Sequence, residues 1–173
     1  MSGAAGRDAL LGLGSNVGER RGHLQDAVAA LAAAGVVPLL SSSTYDTDPV
    51  GEITDQPAFL NACLLARTAL EPLALLDRVK EIERTLGRTA GERHGPRPID
   101  IDILLLGDIE LAGERMIVPH EQLLARRFVL IPALEIDFEL ATPSGRRLAD
   151  ALALLDGDGE GVRWAGPPLR LGD

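Results

Sequence analysis

Aromatic side chains are scarce in this sequence: one Trp, one Tyr and three Phe among 173 residues. Each ring that falls beside a polar motif therefore carries information. Cysteine is almost missing too. Cys63 is alone, which excludes an internal disulfide and fits a reducing compartment. It lies in an apolar run, where a buried, inert thiol is expected. Positive charge is short, with 17 Lys and Arg against 26 Asp and Glu and a formal net charge of -9. That balance argues against a protein that coats nucleic acid. Any anionic ligand must be held by local basic residues and metal. No run is long enough to span a membrane, and Met1 to Asp8 has no signal-peptide core. A cytoplasmic protein, without nucleic-acid or membrane partners, is the expectation. Internal repeats, low-complexity tracts and linkers are also missing.

What remains is a composition of 46% apolar and 25% charged residues, typical of a globular protein. The length suits one domain, residues 1–173, with a sizeable core. Strands are expected at Ala9–Leu13, Val36–Tyr45 and Phe59–Thr68. Helices are expected at Arg20–Ala34, with an apolar stripe of Leu24, Ala27, Val28 and Leu31, and at Pro72–Leu86, with Leu75, Val79, Ile82 and Leu86. Lys80, Glu83 and Arg84 fall elsewhere on the second helix and read as solvated. Further on, Glu121–Arg126 reads as a short helix before the apolar run Phe128–Leu134. Leu148–Leu155 reads as a last helix, and Val162–Leu171 as an edge strand limited by prolines. Several links are too short for parallel crossovers. An α+β sandwich with a mixed or antiparallel sheet follows.

The most informative stretch is Arg93 to Leu106. From Ile99 it alternates isoleucine with aspartate and then runs apolar, the pattern of a strand. Asp100 and Asp102 then share one face, about 7 Å apart, and Ile99, Ile101 and Ile103 fill the other. Two neighbouring carboxylates repel each other and are costly to desolvate. A hard cation relieves both costs, and Mg²⁺ is the usual one where phosphates are handled. Gly95-Pro96 turns the chain just upstream, flanked by Arg93 and Arg97. Arginine and metal together suit a polyphosphate. The competing reading is a solvated strand edge with a nearby salt bridge.

Other residues admit two readings each. Phe59 and Asn61 share a strand face beside a Pro-, Gly- and Asp-rich loop. An aromatic and an amide can hold a flat heterocycle by stacking and paired hydrogen bonds, or they can be a core ring and a turn cap. His120 lies near Arg115, Arg126 and Arg127, as a phosphate contact or a structural histidine. Gly12, Gly14 and Gly18 are spaced one residue too far for a dinucleotide fingerprint and fit a tight strand-to-helix turn beside a site. Asp156–Gly161 lacks the ligand spacing of a calcium loop and reads as a turn.

Together these segments resemble the 6-hydroxymethyl-7,8-dihydropterin pyrophosphokinase family of folate biosynthesis. The resemblance runs from Gly12-Leu13-Gly14-Ser15-Asn16 to about Leu134. It is carried by Asp55-Gln56-Pro57 with Phe59-Leu60-Asn61, by Gly95-Pro96-Arg97 with Asp100 and Asp102, and by Pro119-His120 with Arg126 and Phe128-Val129-Leu130. It implies a ferredoxin-like three-layer α+β sandwich with helices on both faces. It implies transfer of pyrophosphate from ATP, the co-substrate, to the pterin's hydroxymethyl oxygen, releasing AMP. Asp100 and Asp102 would bridge two Mg²⁺ ions. Arg88 and Arg97 match catalytic, phosphate-contacting arginines. Ile103, Arg115, His120 and Arg126 match further ATP contacts. Phe59 and Phe128 match the pterin sandwich, with Asn61 and the Thr47–Val50 backbone at the pterin edge.

The chain departs from the family pattern at His94, where a Trp is usual, and in a short loop between Arg88 and Arg93. Ile117 stands where a polar nucleotide contact can occur. Altered rates or affinity are expected from these changes. A monomer or weak homo-oligomer is expected. Two other functions compete: a metal-dependent nucleotidyl transferase using the same Asp pair, and a non-catalytic pterin or nucleotide sensor.

Overall fold

The computed structural model describes residues 6–49, 57–87, 98–155 and 161–172. Its elements run β1 (Arg7–Ser15), α1 (Arg20–Ala33), β2 (Val36–Ser41), β3 (Thr44–Thr47), β4 (Phe59–Thr68), α2 (Pro72–Thr85) and β5 (Asp100–Leu106). They continue with β6 (Leu111–Ala112), β7 (Ile117–Val118), α3 (Arg127–Ile136), α4 (Leu148–Leu154) and β8 (Val162–Gly166). Six strands form one sheet in the order β5-β1-β4-β3-β8, with β2 also paired to β4. Every pairing among the described strands is antiparallel. The fold is therefore α+β, with an antiparallel sheet and four helices among the described residues.

Period-two patterning divides the core across the sheet. Ala9, Leu11 and Leu13 of β1 join Leu60, Ala62 and Leu64 of β4 and Ile101 and Ile103 of β5 on one face. There they meet Leu24, Ala27, Val28 and Leu31 of α1 and Leu75, Val79 and Ile82 of α2. The stripe expected on α1 is the stripe that is buried. On the other face Leu10, Cys63, Leu104 and Leu105 pack against Val129, Leu130, Ala133 and Leu134 of α3 and Leu148 and Ala151 of α4.

Two segments differ from the sequence expectation. The strand expected over Val36–Tyr45 is broken at Ser42 and Ser43, giving β2 and β3. Ser42 keeps partial pairing with Cys63. Its N–H donates to the Cys63 carbonyl at 2.9 Å, and its Oγ accepts the Cys63 N–H at 2.9 Å. A hydroxyl thus substitutes for a ladder carbonyl, which periodicity cannot reveal. The second difference is the helix after His120. Residues 121–125 form turns, with Leu123 N–H donating to His120 O and Ala125 N–H to Gln122 O. The helix itself starts at Arg127, over the apolar run, and contains Pro132. It packs against the sheet and α4, and Arg127 and Glu135 are its polar residues.

Burial, reinforced by Asp102 and Glu135, pushes the Cys63 thiol well above its ordinary range. A protonated, enclosed thiol is a poor nucleophile. A thiol reagent at pH 8 should therefore label Cys63 no faster than the protein unfolds. Stoichiometric labelling within minutes under native conditions would contradict this packing.

Candidate active site

The cavity follows from the register of three strands. Gly14 of β1 stands opposite Asn61 of β4 on one side and Asp100 of β5 on the other. Gly12 stands between Cys63 and Asp102 in the same way. Two glycines on the middle strand leave that face of the sheet hollow. A Cβ added at Gly14 would lie 2.6 Å from Asn61 Oδ1, so no larger residue fits while the amide stays in place. These glycines were expected in the turn before α1, but both lie within β1. In that turn only Gly18 has positive φ, at 68°. The hollow is a cavity of about 420 Å³, lined among others by Thr47, Phe59, Asn61, Asp100, Asp102, His120, Arg126 and Phe128.

One side of the cavity carries the aromatic-and-amide face. Phe59 begins β4, and Asn61 follows two residues later on the same side. The Asn61 Nδ2–H donates to Thr47 Oγ1 at 2.6 Å, and Thr47 is itself buried. The amide is thus fixed rather than free to rotate. Phe128 enters from the first turn of α3. The guanidinium carbon of Arg126 lies 5.5 Å from the centre of its ring, within cation–π range. Farther along α3, Glu135 anchors the helix to the sheet. It accepts hydrogen bonds from Ser43 N–H at 3.0 Å, Ser43 Oγ at 2.8 Å and Tyr45 Oη at 2.6 Å. Burial opposes ionisation of Glu135, but the hydrogen bonds from Tyr45 and Ser43 outweigh it and lower its pKa. Burial and the same carboxylate push the Tyr45 phenol up to about 12.

The other side carries the carboxylates. Asp100 and Asp102 both line the cavity, while Ile99, Ile101 and Ile103 are buried behind them. Burial, then Asp100, then Glu83 hold the Asp102 carboxyl up to about 7, against the opposing pull of Arg126 and Lys80. Water screens part of that penalty, because 39% of the Asp102 side chain remains exposed. Glu83 is not solvated as expected from its helical position; it is 2% exposed. Its Oε2 accepts the Ile101 N–H at 2.8 Å, and its Oε1 lies 3.4 Å from Lys80 Nζ. That strand N–H needs a partner once buried, a demand that helical periodicity does not register. His120 Nδ1 accepts the Gln122 N–H at 3.0 Å, which leaves the proton on Nε2, 3.9 Å from Asp102 Oδ1. Burial and then Arg126 lower the His120 pKa, so a neutral ring holds that proton.

Among the described residues no group of three or more His, Cys, Asp or Glu could hold a metal ion alone. Two carboxylates open to a cavity are a different donor set. They fit an ion that keeps waters and takes its other ligands from substrate phosphates, as Mg²⁺ does. An aspartate held near neutrality by burial and by other acids is also where a divalent cation would gain most.

Not every candidate residue lies in this cavity. Ile103 and Arg115 line a second one of about 270 Å³, with Leu76, Met116 and Ile117. Arg115 is also ion-paired with Asp77 of α2. The two cavities share Lys80, Asp102, His120 and Glu121. Val50, Arg88, Arg93, His94 and Arg97 lie outside the described residues, as does most of the Asp156–Gly161 turn. Lys80 and Gln122 line the cavity and Glu83 stands behind it on the Ile101 N–H, although the helical pattern of the sequence places Lys80 and Glu83 only in solvent. No helix among the described residues is long and apolar enough to cross a membrane.

A carboxylate pair, a donor set for a hard cation, and an aromatic–amide face suited to a flat ring meet in one hollow. The chain belongs to the 7,8-dihydro-6-hydroxymethylpterin-pyrophosphokinase (HPPK) family, whose model matches residues 10–138. It is 43% identical over 152 residues to the 2-amino-4-hydroxy-6-hydroxymethyldihydropteridine pyrophosphokinase of Methylorubrum extorquens, covering 87% of this chain and 95% of that protein. It is 41% identical over 129 residues to the mitochondrial folate synthesis bifunctional protein of Arabidopsis thaliana, covering 75% of this chain and 23% of that one. The chain thus spans about a quarter of the plant bifunctional proteins it matches. A Plasmodium falciparum HPPK-DHPS crystal structure superposes with a TM-score of 0.66 at 15% identity, over 88% of this chain and 46% of that chain. That last likeness is one of fold.

The raised Asp102 pKa has a sign that can be tested without substrate. The carboxyl moves from 3.8 to about 7 on folding. Between those values the folded state binds more protons, so this group's contribution to stability falls as pH rises through that window. With a chelator present, Asp102→Asn should melt at a higher temperature than the unaltered chain at pH 8. The gap should close toward pH 4. Equal melting temperatures at both pH values would show that Asp102 ionises at no cost.

Proposed function

We propose that this chain transfers the β,γ-pyrophosphate of ATP to the hydroxymethyl oxygen of 6-hydroxymethyl-7,8-dihydropterin, in folate biosynthesis. The pterin oxygen forms a bond to the β-phosphorus as the bond from that phosphorus to the α,β-bridging oxygen breaks. AMP leaves, the hydroxyl proton passes to solvent, and the pterin diphosphate remains. The observation that carries this reading is the joint presence of Asn61, Phe59 and Phe128 with Asp100 and Asp102 in one cavity. Heterocycle and phosphate recognition then meet in one hollow, as transfer from a nucleotide to a pterin requires.

The residues take distinct roles. Phe59 and Phe128 sandwich the pterin, and Asn61, with the backbone at Thr47 and Val50, reads its edge. Asp100 and Asp102 would hold Mg²⁺, two ions in this reading, whose chemistry is to neutralise and polarise the phosphate oxygens. Arg88 and Arg97 balance charge on the transferring group. His120 and Arg126 contact the phosphates, and Ile103 and Arg115 the nucleoside end, in the second cavity. Catalysis of this kind is mostly alignment and charge stabilisation. The order β1-α1-β2/β3-β4-α2-β5, with β5-β1-β4-β3 in the sheet, supports a ferredoxin-like core with helices in the outer layers. We take residues 1–173 as one such domain, acting as a monomer or weak homo-oligomer.

Incubation with ATP and Mg²⁺ should produce AMP when the pterin alcohol is added and not before. Pyrophosphate release instead would identify a nucleotidyl transferase, and binding without AMP would identify a sensor. Either result overturns the assignment. Asp102→Asn should lower turnover on the order of 10²–10³-fold, through loss of preorganised charge stabilisation. Unchanged turnover at saturating Mg²⁺ would remove Asp102 from the metal site.

A further inference from the structure

We propose that Lys80 of α2 is an additional phosphate-binding residue, contacting the polyphosphate of the nucleotide where the two cavities meet. The inference rests on the pyrophosphokinase reading of the site. Lys80 lines both cavities. A nucleotide with its nucleoside end beside Ile103 and Arg115 and its phosphates approaching Asp102 would pass the residues that line both cavities, of which Lys80 is the one permanent cation. The residue is also held there. Its Nζ lies 3.4 Å from Glu83 Oε1, and Glu83 Oε2 accepts the N–H of Ile101, between the two aspartates. The ammonium is therefore tethered, through a buried carboxylate, to the strand that carries Asp100 and Asp102. Half of the Lys80 side chain stays exposed, and an ammonium has three donors, so contact with Glu83 leaves it able to bind an anion.

An ordinary ion pair three residues apart on a helix surface explains less. In such a pair both partners are solvated, whereas the Glu83 side chain is 3% exposed. Its charge also adds to those of Asp100 and Asp102. Arg126 and Lys80 are the counter-charges that act on Asp102, and of the two only Lys80 lines both cavities. Lysine acts on phosphate as a compact point charge.

Binding can be read with Mg²⁺ present, using a non-hydrolysable ATP analogue and, separately, adenosine. Lys80→Met should weaken the analogue about tenfold, the low end for a charge-assisted contact because the group is half exposed. Adenosine binding should change less than about twofold, since it offers no phosphate. Lys80→Arg should recover most of the lost affinity. An unchanged affinity for the analogue, or equal losses for analogue and adenosine, would overturn the proposal. If the unaltered chain neither binds the analogue nor forms AMP, the pyrophosphokinase reading itself fails and takes this inference with it.

Discussion

The site depends on the register of β5 against β1. Asp100 and Asp102 face the cavity because Ile101 and Ile103 stand opposite Leu13 and Leu11 in the core. A slip of one residue would exchange the two sets and drive both carboxylates into the apolar layer. The pattern of the strand therefore fixes the position of the charges, and the charges in turn allow only one pattern. Among the described residues β5 is an edge strand, laddered with β1 alone. Its outer edge is managed from α2, where Glu83 takes the Ile101 N–H. A carboxylate there does two things at once: it satisfies a buried donor and raises the local negative charge that helps keep Asp102 near neutrality.

The opposite wall of the cavity is held by a different device. Phe128 and Arg126 reach the site from the N-terminal end of α3, and Glu135 ties the other end of that helix to Ser43 and Tyr45. Tyr45 is the cross-strand neighbour of Asn61. The helix that brings one ring is thus fastened beside the strand that brings the amide. Arg20 does similar work at the start of β4. It donates to Asp46 Oδ1 at 2.8 Å and to the Ala58 carbonyl at 3.0 Å, next to Phe59. Polar contacts at the rim, rather than packing alone, set how far apart the two aromatic walls stand.

Much of this was legible in the sequence, for one physical reason: one-sided burial leaves a period. The stripe of α1 and the alternation at Asp100–Ile103 follow from it, while β4, buried on both faces, stands out as an apolar run. The family resemblance then brought Asn61, Phe59, Phe128 and the aspartates into one site, and the cavity places them together. What was missed leaves no period. Glu83 looks like any charged residue on an amphipathic helix, because its reason for burial is a backbone N–H on a strand far along the chain. The Ser42–Ser43 break depends on a hydroxyl imitating a carbonyl. Helix α3 is a short apolar run with Pro132 inside it, and such a run is not told from a buried strand by its pattern. The glycines of β1 suggested a turn, and their purpose appears only when Asn61 and Asp100 are set on either side of Gly14.

One local irregularity reconciles the demands on β5. The strand must offer polar groups to a cavity at its start and apolar groups to two cores at its end. Pairing with β1 shifts between Leu10 and Leu11, where Leu105 and Ile103 are their partners and Leu104 is passed over. A bulge of this kind inserts one residue and re-aims those that follow. Before it, alternation is strict, with aspartates outward to the cavity and isoleucines inward. At and after it, Leu104 and Leu105 both join the layer under α3, and Leu106 returns to the layer under α1 and α2. Without the extra residue, strict alternation would leave only every second position for the α3 layer. The bulge therefore ends the cavity and begins the second core within two residues, so the carboxylates sit beside a packed apolar wall and not in open solvent. That wall supplies the burial that leads the causes raising Asp102.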